Sequence, residues 1–176
     1  DFTTCVLRGR MAFAQSPAQT FYVPFPEPDA LTALQTINVA AVTPITTYTS
    51  IAAIADGTII YYDHWEDGYE NVHDLTKPLQ PTTQIWGDGN PANGFPPGVS
   101  NDLINAGTVI LLFNRVDPSN PQAIDYDARD KIVSTRTVSL TRTYWADGST
   151  TLMAGCVEVF RSEEHTSELQ SRSDLV

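Results

Sequence analysis

The stretch Ile59–Glu70, IIYYDHWEDGYE, sets Asp63, His64, Glu66, Asp67 and Glu70 around Trp65 and Tyr69. Several chemistries could use such a set. A hard cation such as calcium wants several oxygen ligands. Asp63, Asp67 and Glu70 could supply them, with Asp88 of the later WGDGN completing the site, although the EF-hand spacing is absent. Glycoside hydrolysis needs two carboxylates roughly 5–10 Å apart, and several pairs here could meet that. A binding rim is the third option. Trp65, Tyr69 and Trp86 would offer stacking faces to a sugar or anchors to a protein, and Asp63, Glu66, Asp67 and Asp88 would offer polar partners. The plainest reading has no ligand: an apolar strand leaves the core and enters an Asp67-Gly68 turn. Nucleophilic catalysis has little support, because no Gly-x-Ser-x-Gly occurs.

Strand alternation constrains all of these. Residues two apart share a face, so Tyr61, Asp63, Trp65 and Asp67 are expected on one side and Tyr62, His64 and Glu66 on the other. His64 then reads as packed among tyrosines.

Around this segment the chain is rich in β-branched residues. TFYVPF, TINVAAV, ITTYTSIAAIA, GTIIYYDHWE, TTQIW, GTVILLFN, KIVSTRTVSLTRTYW and TTLMAGCVEVF all read as strands. One short helix is expected in PDALTALQ with Asp29 as cap. GTVILLFN has apolar residues on both faces, so Val109, Leu111 and Phe113, and equally Ile110 and Leu112, are expected inside a central strand. Asp-Gly turns in ADGT (55–58) and ADGST (146–150) predict two hairpins. Arg136 and Arg142, on one face with Val138 and Leu140, are expected near the DHWED edge, with an arginine covering an aromatic ring. Between Asn71 and Asp102 lies a long Pro/Gly/Asn-rich connection, pinned by Trp86 and Phe95. Together these predict an all-β, antiparallel β-sandwich with one long loop, over residues 20–160.

Composition narrows the partners. A net charge of -11 argues against nucleic acid. No run is long enough to span a bilayer as a helix. With two cysteines there is no disulfide framework, and Cys156 is expected as a small buried hydrophobe. Residues 1–19 read as an N-terminal extension, in which Ala12-Phe13-Ala14 has the shape of a signal-peptidase site. The composition breaks after Phe160, and RSEEHTSELQSRSDLV (161–176) resembles a translated sequencing adapter, so it is set aside as a non-native tail and residues 20–160 as a fragment of a longer protein.

The series YVPFPEPD, ITTYTSIAAIADGTIIYYDHWEDGYE, TTQIWGDGNPANG, INAGTVI and YDARDKI resembles the N-terminal region of large secreted or surface-attached microbial proteins, often followed by immunoglobulin-like repeats. The resemblance implies an extracellular or cell-surface location and no assigned catalytic residues. The preferred reading is a non-enzymatic module for adhesion or matrix binding, with a glycan or surface protein as partner and calcium as a candidate ion. The alternative is a carbohydrate-active enzyme domain using carboxylates near 63–70. Removing Arg161–Val176 is expected to change stability by no more than about 0.5 kcal/mol, as for a surface change, measured by urea denaturation of the two chains.

Overall fold

The computed structural model describes residues 18–37, 45–72, 77–146 and 154–162. Its elements are β1 (Gln19–Tyr22), α1 (Glu27–Ile37), β2 (Ile45–Ala53), β3 (Ile60–Asp63), β4 (Gln84–Trp86), β5 (Val109–Val116), β6 (Lys131–Ser134), β7 (Val138–Ala146) and β8 (Ala154–Val159). The strands form two four-stranded antiparallel sheets, in the orders β1-β6-β3-β4 and β5-β2-β7-β8. The fold is the expected all-β sandwich. Phe21, Ile60, Tyr62, Trp86 and Ile132 of the first sheet pack on Ile51, Ile110, Leu112 and Leu140 of the second. Every second residue along these strands faces inward, and each large apolar side chain removed from water contributes about 1.5–3 kcal/mol.

The helix is longer than one or two turns. It starts at Glu27, two residues before the expected cap, and Pro28 near its start has no amide that a first turn would need to satisfy. Ala30 and Leu34, four apart, form its buried stripe, and Leu34 packs with Ile45. Thr36 and Ile37 end this helix rather than opening a strand; the rest of TINVAAV lies outside the described residues.

β5 is not a central strand. Among the described residues it pairs only with β2 and forms one edge of its sheet. Ile110 and Leu112 point inward, whereas Val109, Leu111 and Phe113 are each at least half exposed on the outer face. Phe113 leans on Tyr48 with ring centroids 5.0 Å apart, and Tyr48 meets Trp145 at 5.2 Å. An unbroken apolar run therefore arises here from one core face plus one row that packs across strands on the outside. Cys156 is also outside, exposed on β8, where the Thr143 hydroxyl lies 3.6 Å from its sulfur. The expected burial does not hold because position 156 falls on the outward register of an edge strand.

Two connections differ from expectation. ADGT joins β2 to β3, which belong to different sheets, so it is a crossover and not a hairpin. An Asp-Gly pair supplies positive φ, at Gly57 here (φ 65), but does not choose the next strand's partner. KIVSTRTVSLTRTYW is two strands. It turns a corner at Thr135–Thr137, where Thr135 N donates to Ile59 O (3.0 Å), and passes from β6 in one sheet to β7 in the other. β7 and β8 do pair antiparallel as hairpin arms, although residues 147–153 between them lie outside the described residues.

The long connection is held by β4. Trp86 is fully buried, while Phe95 stays exposed. Asp102 ties the turn after Trp86 by accepting from Gly87 N (2.6 Å) and Asn90 N (2.8 Å). Gly87 sits at φ 87, and a Cβ there would come within 2.3 Å of Thr58 O, so the turn admits no side chain. At the C-terminal end, Arg161 bridges to Phe21 and Ser162 N donates to Thr20 O (2.9 Å). Residues 1–17 and 163–176 lie outside the described residues.

The two faces of β5 predict opposite mutational costs. Leu112→Ala, at 1% exposure, should lose about 2–5 kcal/mol. Leu111→Ala, at 50% exposure, should lose less than about 1 kcal/mol. Urea midpoints of the two variants check this, and equal losses would refute the one-sided burial.

Candidate functional site

β3 delivers the chemistry-bearing segment. It ends at Asp63, and Gly68 N donates to Trp65 O (3.1 Å), closing the turn expected around Asp67-Gly68. The segment then folds back over the outer face of the first sheet. Asp63 is buried beneath it. Its Oδ2 lies 2.5 Å from Lys131 Nζ on the neighbouring strand and accepts from Glu70 N (2.9 Å). Lys131 also donates to the Glu70 carbonyl. The Glu70 carboxylate accepts from the Thr83 hydroxyl (2.5 Å) and from Gln80 N, and the exposed Asp67 accepts from the Thr82 hydroxyl. Three of the four acids expected to hold a cation thus have partners of their own, and an ammonium group lies between the Asp63 carboxylate and the Glu70 main-chain carbonyl.

The fourth, Asp88, is elsewhere. β3 and β4 run antiparallel, with Ile60 opposite Trp86 and Tyr62 opposite Gln84. The exit of β4 therefore lies beside the entry of β3. Asp88 stands at one end of the sheet and Asp67 and Glu70 at the other. Asp88 accepts from Asn90 N (2.9 Å) and Asn93 Nδ2 (2.8 Å) in its own turn. Trp86 stacks on Tyr62 inside the core, with centroids 5.1 Å apart, and has no face for a ligand. The single rim joining Trp65 to Trp86 does not form. Trp65 and Tyr69 remain accessible, half-buried and exposed respectively.

The inward side of the same segment enters a buried polar network. Tyr62 and His64 share the inner face, as alternation predicts, and their rings lie 5.1 Å apart. Asp130, fully buried at the start of β6, is the hub. Its Oδ2 accepts from the Tyr62 hydroxyl (2.6 Å) and Asp127 N (3.2 Å) and lies 3.5 Å from His64 Nδ1. Its Oδ1 accepts from Trp65 N (3.3 Å). Asp127 Oδ1 takes the indole N–H of Trp65 (3.0 Å). Glu27, from α1, accepts from Ala128 N (3.3 Å) and pairs with Arg142, which donates also to Thr49 Oγ1 (3.0 Å). Arg142 thus shares the inner face of β7 with Val138 and Leu140, whereas Arg136 is exposed at the corner. Arg129 is the arginine that covers a ring, 4.7 Å from the Trp65 centroid. It does so from φ 79, a left-handed conformation that costs a non-glycine residue of order 1 kcal/mol or more.

Carboxylates outnumber cations here, and their proton affinities register it. Burial pushes Asp127 up to about 9, helped by the charges of Asp130, Glu27 and Glu66. Burial likewise raises Asp130, against the opposing hydrogen bond and charge of His64. It raises Glu27 in spite of Arg142, and Glu66 in spite of the amides of Glu66 and Asp125. Burial alone would lower His64, but Asp130 outweighs it and the ring's pKa is raised.

Glu27, Asp127, Asp130 and Arg142 were not among the expected site residues. The spacing in YDARDKI held a signal: two acids three apart, with an arginine between them, at the entry to an apolar strand. Beside Trp65 and Asp127 is a crevice of about 20 Å³, lined also by Glu27, Pro118 and Arg129. Across the sheet, an open groove of about 340 Å³ runs past Thr20, Tyr22, Tyr69 and Asn71. The class of protein so defined is a two-sheet antiparallel sandwich with an acidic network at one end of its core. Compared with protein-family models, with curated proteins and with solved structures, the chain matches none.

The raised carboxyls set the pH dependence. A carboxyl whose folded pKa lies above its unfolded value keeps a proton that the unfolded chain releases, so it favours the folded state in acid and loses that advantage as pH rises. For Asp127 the window runs from about 4 to about 9. The lowered carboxyls, Asp88 and Asp117, both on the surface, titrate below that window. The melting temperature should fall between pH 5 and pH 8.5. Asp127→Asn, which keeps the oxygen that accepts from Trp65, should flatten the fall. A wild-type melting temperature that rises over this range would refute the assignment.

Proposed function

We propose that this chain is a non-catalytic binding module of a secreted or cell-surface protein, and that it recognises a glycan on the outer face of its first sheet. The carrying observation is the pair Tyr22 and Tyr69, 44% and 52% exposed, in edge-to-face contact at 5.4 Å beside the open groove. Tyr69 is held rather than loose: its hydroxyl donates to Arg129 O (2.7 Å), and Lys131 Nζ lies 5.4 Å from its ring centroid. Aromatic rings with a fixed pose and a polar border suit a sugar, which presents C–H faces and a rim of hydroxyls. Thr20, Asn71 and Glu70 border the groove. The resemblance to N-terminal regions of large surface proteins supports the same reading, as does a net charge of -11, which suits a neutral or cationic ligand better than a polyanion.

Catalysis on a glycan ranks below this. A carboxyl that keeps its proton near neutral pH is what a general acid requires, and Asp127 has that property. The crevice beside it, however, has room for about one water and not for a sugar ring.

Tyr69→Ala and Tyr22→Ala should each weaken binding to a glycan by about fivefold or more, taking the 1–3 kcal/mol of a base stacked on one ring as the order of magnitude for a sugar. Both side chains are largely exposed, so the melting temperature should move little. A glycan array followed by titration calorimetry checks this. An array without binding, or binding that survives both substitutions, sinks the proposal.

A further inference from the structure

We propose that His64, Glu66 and Asp130 form a site for one divalent transition-metal ion, with zinc as the leading case. The site is separate from the tyrosine groove and does not depend on the glycan reading.

The three side chains come from two places in the chain. His64 and Glu66 follow β3, and Asp130 precedes β6. One ligand atom from each lies within 4.8 Å of the other two. Two further observations are compatible with a cation there. Both carboxylate oxygens of Glu66 are shielded from solvent, and neither meets a donor at full hydrogen-bonding geometry among the described residues, although the amides of Glu66 and Asp125 lie close enough to favour its charged form. A shielded carboxylate without a well-aligned donor is costly. Second, His64 Nδ1 stands 2.9 Å from Asp125 O and 3.5 Å from Asp130 Oδ2. A carbonyl and a carboxylate only accept, so that nitrogen carries either its ring proton, as in an ordinary neutral tautomer, or a metal ion in the proton's place.

The remaining bonds leave room. Among the described residues Asp130 Oδ1 accepts only the long bond from Trp65 N (3.3 Å), which keeps a lone pair available. The Tyr62 hydroxyl on Oδ2 fixes the carboxylate's orientation, as an outer-shell donor does at a metal site. One imidazole with two carboxylates suits zinc or manganese. Calcium prefers six to eight oxygens and would gain little from a nitrogen. Three protein ligands would leave a coordination position open to water. This donor set differs in place and chemistry from the calcium ligands expected at Asp63, Asp67, Glu70 and Asp88.

The test uses the whole 176-residue chain, stripped with EDTA and then dialysed against zinc. Elemental analysis should find one zinc per chain, a result that needs no variant. At a hundredfold excess of zinc over its dissociation constant, the wild-type melting temperature should rise by about 5–10 °C. Calcium should produce a much smaller rise. Glu66→Gln should lose the zinc-dependent shift while melting, without metal, no lower than the wild type, because it removes a shielded carboxylate whose burial outweighs its favourable contacts. That variant retains every histidine and all other acids, so zinc held nonspecifically would persist in it. Equal wild-type melts in zinc and EDTA would overturn the proposal. So would an undiminished zinc shift in Glu66→Gln, or a calcium shift as large as that of zinc.

Discussion

A carboxylate held between two sheets must be met by donors from several directions, and Asp130 is met by Tyr62, Trp65 and the amide of Asp127. Those donors lie on the end of β3, on the turn after it, and on the segment entering β6. The requirement to satisfy one buried group therefore fixes how three pieces of chain meet. Glu27 extends the arrangement. It accepts from Ala128 N and pairs with Arg142, joining α1, the 125–130 segment and the second sheet. Removing charges from water costs several kcal/mol each. The network offsets this for Asp130, Glu27 and Arg142 by linking each to more than one partner, and the left-handed Arg129 is part of that accommodation.

The same segment has two sides with different roles. Facing inward, Tyr62 and His64 complete the network. Facing outward, Asp63 disappears beneath the returning chain and binds Lys131, and that pairing, together with the bonds from Glu70 to Thr83 and Gln80, holds Tyr69 over the sheet. An exposed ring with a fixed pose thus depends on a buried ion pair directly below it. The tyrosine groove and the acidic network are the two faces of one short strand and its turn.

The second sheet has a different character. Its outer face carries Tyr48, Leu111, Phe113 and Trp145 in a row of cross-strand contacts, on β2, its edge neighbour β5 and β7. Apolar residues on that face stabilise strand pairing, and they account for the two-sided pattern of GTVILLFN without a second core.

Strand content and alternation were legible from residue types alone. β-branched runs became strands, and residues two apart took the same face, so Tyr62 with His64 and Arg142 with Leu140 were placed correctly. These properties are local: they depend on backbone preference and on the period of a strand. Which strands pair, and in which sheet, was decided by the tertiary structure, because an Asp-Gly turn reverses the chain equally well within a sheet or between two. The site divided along the same line. Asp63, His64, Glu66, Asp67 and Glu70 stood out as a dense cluster, but Asp88 and Trp86 joined them only in sequence order, and antiparallel pairing of β3 with β4 carried both away. Asp127, Asp130, Glu27 and Arg142 lay far off in sequence. They became neighbours of His64 and Trp65 only when β6 settled beside β3 and α1 closed over β7. The sequence by itself determined the residue types available for chemistry and their alternation about each strand. Only the packed sheets decided which charges were buried together, because long-range register is set by side chains satisfying one another across strands.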